Sequence, residues 1–199
     1  QSKEGTTEPD LFSITDFVRS CNVPLTYGGG IASVEDAINV IQAGADKILL
    51  NTHQYLNKKL ISELALRLGS QAVVVGIDAR RFNETAHVTY SHCGTVEQDV
   101  SPTEAAKIAE GEGAGEIIIT SIDRDGTLEG YDLELIAKIT ETVRVPVIAS
   151  GGAKDSGCFV DAVQKSRASA VAAGALFHFT ELTPDDARTA MRDAGIPVR

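Results

Sequence analysis

Two passages of the chain have residue types suited to binding a phosphate group. The sequence Val-Pro-Leu-Thr-Tyr-Gly-Gly-Gly at 23–30 is matched by Val-Pro-Val-Ile-Ala-Ser-Gly-Gly at 145–152, with the Val-Pro pair and the last two glycines in register. An apolar strand that runs into glycines leaves backbone N–H groups bare, and such groups can converge on an anion. Two loops of this kind indicate a ligand with two phosphate groups.

Each glycine loop is followed by a helix and a second strand, which ends in Asn51 and Thr52 in the first copy and in Gly174 and Ala175 in the second. Asn51 and Thr52 could simply cap the end of their strand. Their pairing with a glycine loop favours a phosphate clamp instead. We predict two anion sites: Gly28, Gly30, Asn51 and Thr52; and Ser150, Gly151, Gly152, Gly174 and Ala175.

One acid, Asp78, follows the apolar run at 73–77 and is the candidate for proton transfer. At the end of a buried strand, partial desolvation favours the neutral carboxyl and brings its pKa into a useful range for acid-base chemistry. The alternative is a structural acid that caps a helix or pairs with Arg80 or Arg81. Both interpretations remain open on the residues alone.

The run Asp-Arg-Asp-Gly-Thr at 123–127 has some features of a calcium loop. Its glycine comes too early and the closing glutamate is missing, so calcium is excluded. As a purely structural element, the run predicts a turn with an internal Asp–Arg pair. The four histidines are scattered, with His87 and His92 in a predicted hairpin, and give no ligand cluster. We predict no metal and no organic cofactor.

Composition predicts one soluble domain over residues 1–199, with 43% hydrophobic and 23% charged residues. No run approaches the roughly 18 apolar residues that cross a bilayer, and no signal peptide is visible. The net charge of -10 argues against nucleic acid as a partner. Three cysteines without a CxxC pair indicate a reducing, cytoplasmic location.

Six apolar runs alternate with helix signals and must position these residues. Capping boxes at 101–104 and 183–186 predict helix starts, and an apolar stripe at 60–68 closed by Gly69 predicts a helix end. Continuous apolar strands are typical of a parallel sheet covered on both faces. The predicted strands begin near Pro24, Lys47, Ala72, Glu116, Val145 and Ser169.

Strand-helix alternation leaves an open doubly wound sheet or an eight-stranded barrel. Candidate functional residues follow nearly every strand, which favours the (β/α)8 TIM barrel over a sheet with one switch point. Six strands do not close such a barrel. We therefore expect two strand-helix units, about 50 residues at the usual size of the fold, to be missing before Gln1.

With these elements in place, the chain resembles the cyclase subunit family of imidazole glycerol phosphate synthase over 1–199. Eight motifs in order carry the resemblance: TYGGGI at 26–31, AGADK at 43–47, GIDA at 76–79, GAGE at 113–116, TSIDRDGT at 120–127, GYD at 130–132, ASGG at 149–152 and FHF at 177–179. The resemblance implies a doubled half-barrel of the phosphate-binding type. It also implies that ammonia from a glutaminase partner and a bisphosphorylated ribulosyl aminoimidazole carboxamide ribonucleotide yield imidazole glycerol phosphate and aminoimidazole carboxamide ribonucleotide.

The resemblance also assigns roles to single residues. Asp78 matches the second of two catalytic aspartates, while the first would lie before Gln1, so the chain alone is expected to be inactive. Lys47 and Glu116 match a charged gate for ammonia, on the side that faces the glutaminase. Substrate-cleft positions match Thr120, Asp125 and Gly126.

Three departures from the family leave alternatives open. Ala175 stands where the family usually has a serine, Tyr27 replaces a commoner valine, and the loop at 91–98 lacks the usual basic residues. These differences resemble a paralogous branch that uses ammonia in surface-sugar amidation. A non-catalytic fragment is a third hypothesis, and a phosphosugar isomerase of the same doubled-barrel kind is a weaker fourth.

Overall fold

The computed structural model describes residues 8–198. The predicted domain bounds, Gln1 and Arg199, and the two strand-helix units expected before Gln1 lie outside these residues. The described chain forms two compact units. Unit 1 is the described part of Gln1–Gly76 with Ile108–Glu116, and unit 2 is Ile77–Lys107 with the described part of Ile117–Arg199. Each unit contains one glycine loop, and a single domain over 1–199 stays a prediction.

Unit 1 alternates short parallel strands with helices. Thr26 pairs with Lys47 and Ile48 pairs with Val73, so its three strands run in the same direction. Besides the segment Ile108–Glu116, its elements are α1 Leu11–Ser20, β1 Thr26–Gly28, α2 Val34–Gln42, β2 Lys47–Leu50, α3 Thr52–Leu56, α4 Leu60–Leu68, a 3₁₀ turn at Ser70–Ala72 and the first half of β3 Val73–Arg81.

Unit 2 continues the alternation after a hairpin. Ile117 pairs with Val147 and Ile148 pairs with Ala170, again in parallel. Its elements, two of which begin or end in unit 1, are β4 His87–Ser91, β5 Val96–Gln98, α5 Pro102–Gly111, β6 Glu116–Ser121, α6 Leu133–Thr140, β7 Val147–Ser150, α7 Ser156–Ser166, β8 Ala170–Val171, α8 Ala175–Phe179 and α9 Pro184–Asp193.

The hydrogen-bonded strand order is β1-β2-β3-β6-β7-β8, with the β4-β5 hairpin attached to β3. The six predicted strands are therefore confirmed, and parallel strands alternating with helices are the arrangement of the (β/α)8 barrel class. Val73, Val74 and Val75 are all buried, as expected for a strand covered on both faces.

Helix boundaries follow the capping residues. Ser101 and Glu104 exchange hydrogen bonds as a capping box at the start of α5, and Thr183 with Asp186 does the same for α9. Gly69 ends α4, whose buried residues include three of the predicted stripe. These local predictions are confirmed. None of the helices within residues 8–198 has the length and apolarity needed to cross a membrane.

One prediction about β3 is wrong. Asp78 does not follow this strand but lies within it, because the strand continues to Arg81. The extension is held by β4, with Asp78 opposite Tyr90 in the antiparallel register. Likewise, the predicted loop at 91–98 is a turn only at 92–95, and paired strands flank it.

Candidate active site

The second glycine loop lies at a cavity of about 120 Å³ at the end of β7. The cavity brings together most of the residues predicted for this half of the site. It is lined by Asp125, Gly126, Ser150, Gly151, Gly152, Ala153, Ala172, Ala173, Gly174, Ala175 and Leu176. Thr120 is not among these lining residues, although it pairs with Ser150 across the sheet.

Glycine is required at two positions of this loop. Gly151 and Gly152 have φ angles of 86° and 100°, which L side chains rarely adopt. A Cβ atom on Gly151 would lie 2.6 Å from the Ser121 carbonyl oxygen, and one on Gly152 would lie 2.5 Å from that of Gly130. The loop therefore packs with its backbone directly against neighbouring backbone.

The side chains that line the cavity are poorly suited to an anion. Asp125 is the one charged residue among those that line it, and its carboxylate repels phosphate. No lysine or arginine lines the cavity to offset this charge. Peptide N–H groups of the glycine-rich loops are the donors that can hold a phosphate here, while Asp125 can accept a hydrogen bond from a ligand hydroxyl.

In unit 1, the residues predicted for the first anion site also follow strand ends. Gly29 and Gly30 have φ angles of 117° and 70°, and a Cβ on Gly29 would meet no atom within 4 Å. Asn51 follows β2 and makes no side-chain cap bond to α3. The strand-end cap is therefore not the role of the Asn51 side chain. Thr52 is the first residue of α3 and is half-buried.

The Asn51 side chain has an unused hydrogen-bonding atom. Its Oδ1 is buried and has no hydrogen-bond partner among the described residues. A buried acceptor without a donor is destabilising and is rare in native proteins. Because amide oxygen and nitrogen can exchange places, Asn51 can present either atom to a ligand.

Gln54 supports the same region and was not predicted. Its Nε2 donates a 2.6 Å hydrogen bond to the Gly76 carbonyl, in the buried part of β3 two residues before Asp78. A glutamine in a short helix carries no local signal for such a contact. The bond depends on where α3 and β3 meet in the folded unit.

Asp78 is half-buried, so its carboxyl group is partly shielded from solvent. Arg80 and Arg81, the two arginines of the structural alternative, each bind another carboxylate of unit 2. Arg80 Nε lies 3.3 Å from Asp123 Oδ1. Arg81 Nη2 donates to both carboxylate oxygens of Asp132, at 2.8 and 3.0 Å. The catalytic role of Asp78 stays a prediction.

Lys47 and Glu116 form a salt bridge in unit 1. The Lys47 Nζ lies 2.5 Å from Glu116 Oε1, and the side chains are 31% and 24% exposed. Each is the first residue of its strand, so the pair lies at the amino ends of β2 and β6. The structure brings together the two residues predicted for the gate, whose role in passing ammonia stays a prediction.

A family model for "Histidine biosynthesis protein" matches residues 2–183. The chain belongs to this family. Three relatives named "Imidazole glycerol phosphate synthase subunit HisF" agree with it. The relative from Hyphomonas neptunium is 42% identical over 189 residues, which cover 95% of this chain and 75% of the relative. Those from Bacillus cereus and Chlorobium limicola are 44% and 42% identical over 177 residues, covering 89% of this chain and 70% of each relative.

Within this member of the histidine biosynthesis family, the segment 123–127 differs from its prediction. It is a turn, as expected, but the prediction of an internal Asp–Arg pair is wrong. Asp123 accepts a 2.6 Å hydrogen bond from the Arg81 N–H and binds Arg80, because extended β3 reaches it. Arg124 instead donates to the carbonyls of Gly130 and Tyr131.

Asp132 is the centre of a buried polar cluster that the sequence did not predict. Its carboxylate accepts hydrogen bonds from His87 Nε2 at 3.0 Å, from Arg81 and from the Leu135 N–H at the start of α6. Burial alone would raise the pKa of Asp132, but these bonds outweigh it and lower the pKa to about 2. The cluster ties the β4 hairpin strand to α6 within unit 2.

The histidines of this family member do not form a cluster among the described residues. Among residues 8–198, no group of three or more His, Cys, Asp or Glu side chains is arranged to hold a metal ion. His87 is instead buried against Asp132, and His92 lies in the left-handed turn of the hairpin with a φ of 48°. The absence of a metal and of an organic cofactor stays a prediction.

Proposed function

We propose that the chain is the cyclase subunit of an imidazole glycerol phosphate synthase and acts in histidine biosynthesis in the cytoplasm. It uses ammonia to convert a bisphosphorylated ribulosyl aminoimidazole carboxamide ribonucleotide to imidazole glycerol phosphate and aminoimidazole carboxamide ribonucleotide. The observation that carries the proposal is the duplicated glycine loop, one in each unit, on a chain 42–44% identical to three HisF subunits.

The two loops suit the two phosphate groups of that substrate. In unit 2, the cavity beside Gly151 and Gly152 is lined by no lysine or arginine, so peptide N–H groups are the donors for a phosphate there. In unit 1, Gly28 and Gly30 are followed by Asn51 and Thr52 at the next strand end. Because the net charge of the chain is -10, an anionic substrate must be held by such local donors rather than by a positive surface.

Asp78 is the proposed acid-base group. Closing an imidazole ring with ammonia requires protons to be added to leaving atoms and removed from attacking ones. Asp78 is half-buried in β3, at the position that the resemblance assigns to a catalytic aspartate. Asp125, at the rim of the unit 2 cavity, is proposed to orient a substrate hydroxyl, with Gly126 supporting the loop and Thr120 at the end of β6.

A glutaminase subunit is the proposed partner and the source of ammonia. The support for it is the Lys47–Glu116 salt bridge, which lies at the amino ends of the strands while the glycine loops follow carboxyl ends. In barrels of this class the chemistry occurs at the carboxyl ends. The opposite ends are then available to a second subunit.

Calorimetric titration of the chain with the bisphosphorylated substrate tests the proposal without requiring turnover. We expect one substrate per chain, with binding weakened by excess inorganic phosphate. Gly152→Ala is the variant for comparison, and we expect it to bind the substrate more weakly, because the added Cβ would displace the second loop. Absence of binding by a folded wild-type chain would contradict the proposal.

One observation favours the sugar-amidation alternative. The cavity wall at 172–175, Ala-Ala-Gly-Ala, offers no hydroxyl group to a phosphate. A ligand that places no phosphate at this end would bind equally well without such a hydroxyl group. The same titration with a phosphate-free sugar separates the alternatives, since the cyclase should not bind it.

A further inference from the structure

Tyr131 lies behind the unit 2 cavity and does not line it. The residue is buried, with 3% of its surface exposed. Its hydroxyl donates a 2.9 Å hydrogen bond to the carbonyl oxygen of Ala172, which is a lining residue. This contact joins positions 41 apart in the chain.

The neighbouring residue contacts the other wall of the same cavity. Gly130 donates its N–H to the carbonyl oxygen of Gly152 at 2.6 Å. The dipeptide 130–131 therefore holds both the loop after β7 and the loop after β8. Arg124 secures the dipeptide in turn, since its Nη1 donates to both of its carbonyls at 3.1 and 2.9 Å.

The Tyr131 ring is also held in place. It packs against Phe159 with centroids 6.1 Å apart, and Phe159 stacks on Phe177 at 6.2 Å. Phe177 belongs to α8, whose first residue, Ala175, lines the cavity. The aromatic row therefore connects the Tyr131 ring to α8, which begins at the end of the loop at 172–175.

Backbone orientation is what this loop can offer to a ligand. Its side chains are alanine or glycine, so its donors are peptide N–H groups. Ala172 N–H is already bonded to the Ala149 carbonyl, and its own carbonyl is bonded to Tyr131. In a trans peptide the next N–H, that of Ala173, points opposite to the Ala172 carbonyl and so away from Tyr131.

We propose that Tyr131 is a positioning residue for the second anion pocket, which aims the backbone donors at 173–175 through its hydrogen bond to Ala172. This inference rests on the proposed function, namely that the pocket binds a phosphate group. Burial raises the pKa of the Tyr131 phenol above its usual value, so the hydroxyl remains a donor throughout the working pH range.

The test is an amide NMR titration of the full chain with inorganic phosphate. The signals of Gly151, Gly152 and Gly174 report the second pocket, and those of Gly29 and Gly30 report the first. In Tyr131→Phe, we expect affinity at the second pocket to fall about three- to tenfold, the effect of one lost hydrogen bond. Affinity at the first pocket should stay within about twofold, which a general loss of structure would not allow.

Tyr90→Phe is the matched control. It removes a tyrosine hydroxyl that is bonded to Glu97 rather than to a cavity wall, and should leave both affinities unchanged. Unchanged affinity at the second pocket in Tyr131→Phe, or an equal fall at both pockets, would overturn the positioning role alone. If phosphate shifts neither set of glycines in the wild-type chain, the anion sites of the proposed function fail and the inference fails with them.

Discussion

Lys47 and Glu116 are 69 positions apart in the chain, yet their side chains meet at 2.5 Å. Each begins a strand, and the two side chains are 31% and 24% exposed. Partly exposed ion pairs of this kind contribute only about 0–1 kcal/mol to stability. Stability therefore gives a weak reason for the pair, and its role in transferring ammonia stays a prediction.

Lys47→Met tests that role. In the complex with a glutaminase, we expect glutamine-dependent turnover to fall by about tenfold or more, while turnover with added ammonia changes by less than about threefold. Lys165→Met is the matched control, because it removes an exposed lysine paired with Asp161 on α7. An equal fall in both activities would argue against a gate.

Asp78→Asn keeps the size of the side chain and removes its ability to exchange a proton. We expect ammonia-dependent turnover in the active complex to fall by about 10²- to 10⁴-fold, the usual contribution of a general acid-base group. Asp161→Asn, on the exposed face of α7, serves as the control. Activity of Asp78→Asn within about threefold of wild type would show a structural role instead.

The sequence predicted those parts of the fold that depend on local pattern. Capping at Ser101 and Thr183, the apolar stripe of α4 and the six apolar runs each reflect interactions within one element. The extension of β3 beyond Ile77 could not be predicted in this way. Residues 78–81, Asp-Ala-Arg-Arg, have no strand pattern, and they are extended because β4 pairs with them.

The residues of the candidate site likewise fall into those that local pattern predicts and those that it does not. The glycine loops were predictable, because a glycine run after an apolar strand is itself the signal. Asp132 and Tyr131 belong to the Gly-Tyr-Asp motif at 130–132, which by itself gives neither residue a role. Their contacts to His87 and Ala172 span 45 and 41 positions, and local pattern carries no information about such distant pairs.

The two glycine loops should tolerate a methyl group unequally. Gly29 and Gly152 both have positive φ angles, so alanine strains either backbone by about 1–3 kcal/mol. At Gly29 the added Cβ meets nothing within 4 Å, whereas at Gly152 it would lie 2.5 Å from the Gly130 carbonyl oxygen. We expect urea denaturation to show the larger loss of stability for Gly152→Ala. Equal losses would mean that the second loop is not packed as described.

Asp132 should make stability depend on pH in the acid range. Its folded pKa of about 2 lies below the ordinary value of 3.8, so its contribution is present above pH 3.8 and is lost as pH falls toward 2. The difference corresponds to about 2 kcal/mol for this buried group. Urea denaturation should therefore show Asp132→Asn less stable than wild type at pH 6, with the gap narrowing between pH of about 4 and 2. A constant gap would contradict the assignment.

Ala175→Ser should strengthen the second anion pocket rather than weaken it. Ala175 lines the cavity at the first residue of α8, and the wall at 172–175 has no hydroxyl group. A serine hydroxyl there can donate to a phosphate oxygen, and one such bond contributes about 0.5–1.5 kcal/mol, or roughly two- to twelvefold in affinity. The phosphate titration read at Gly151, Gly152 and Gly174 should show this gain, with Gly29 and Gly30 as the internal reference. Ala194→Ser, just past the end of α9, is the control for an added hydroxyl outside the cavity. Affinity that is unchanged or lower in Ala175→Ser would place the bound phosphate away from this wall.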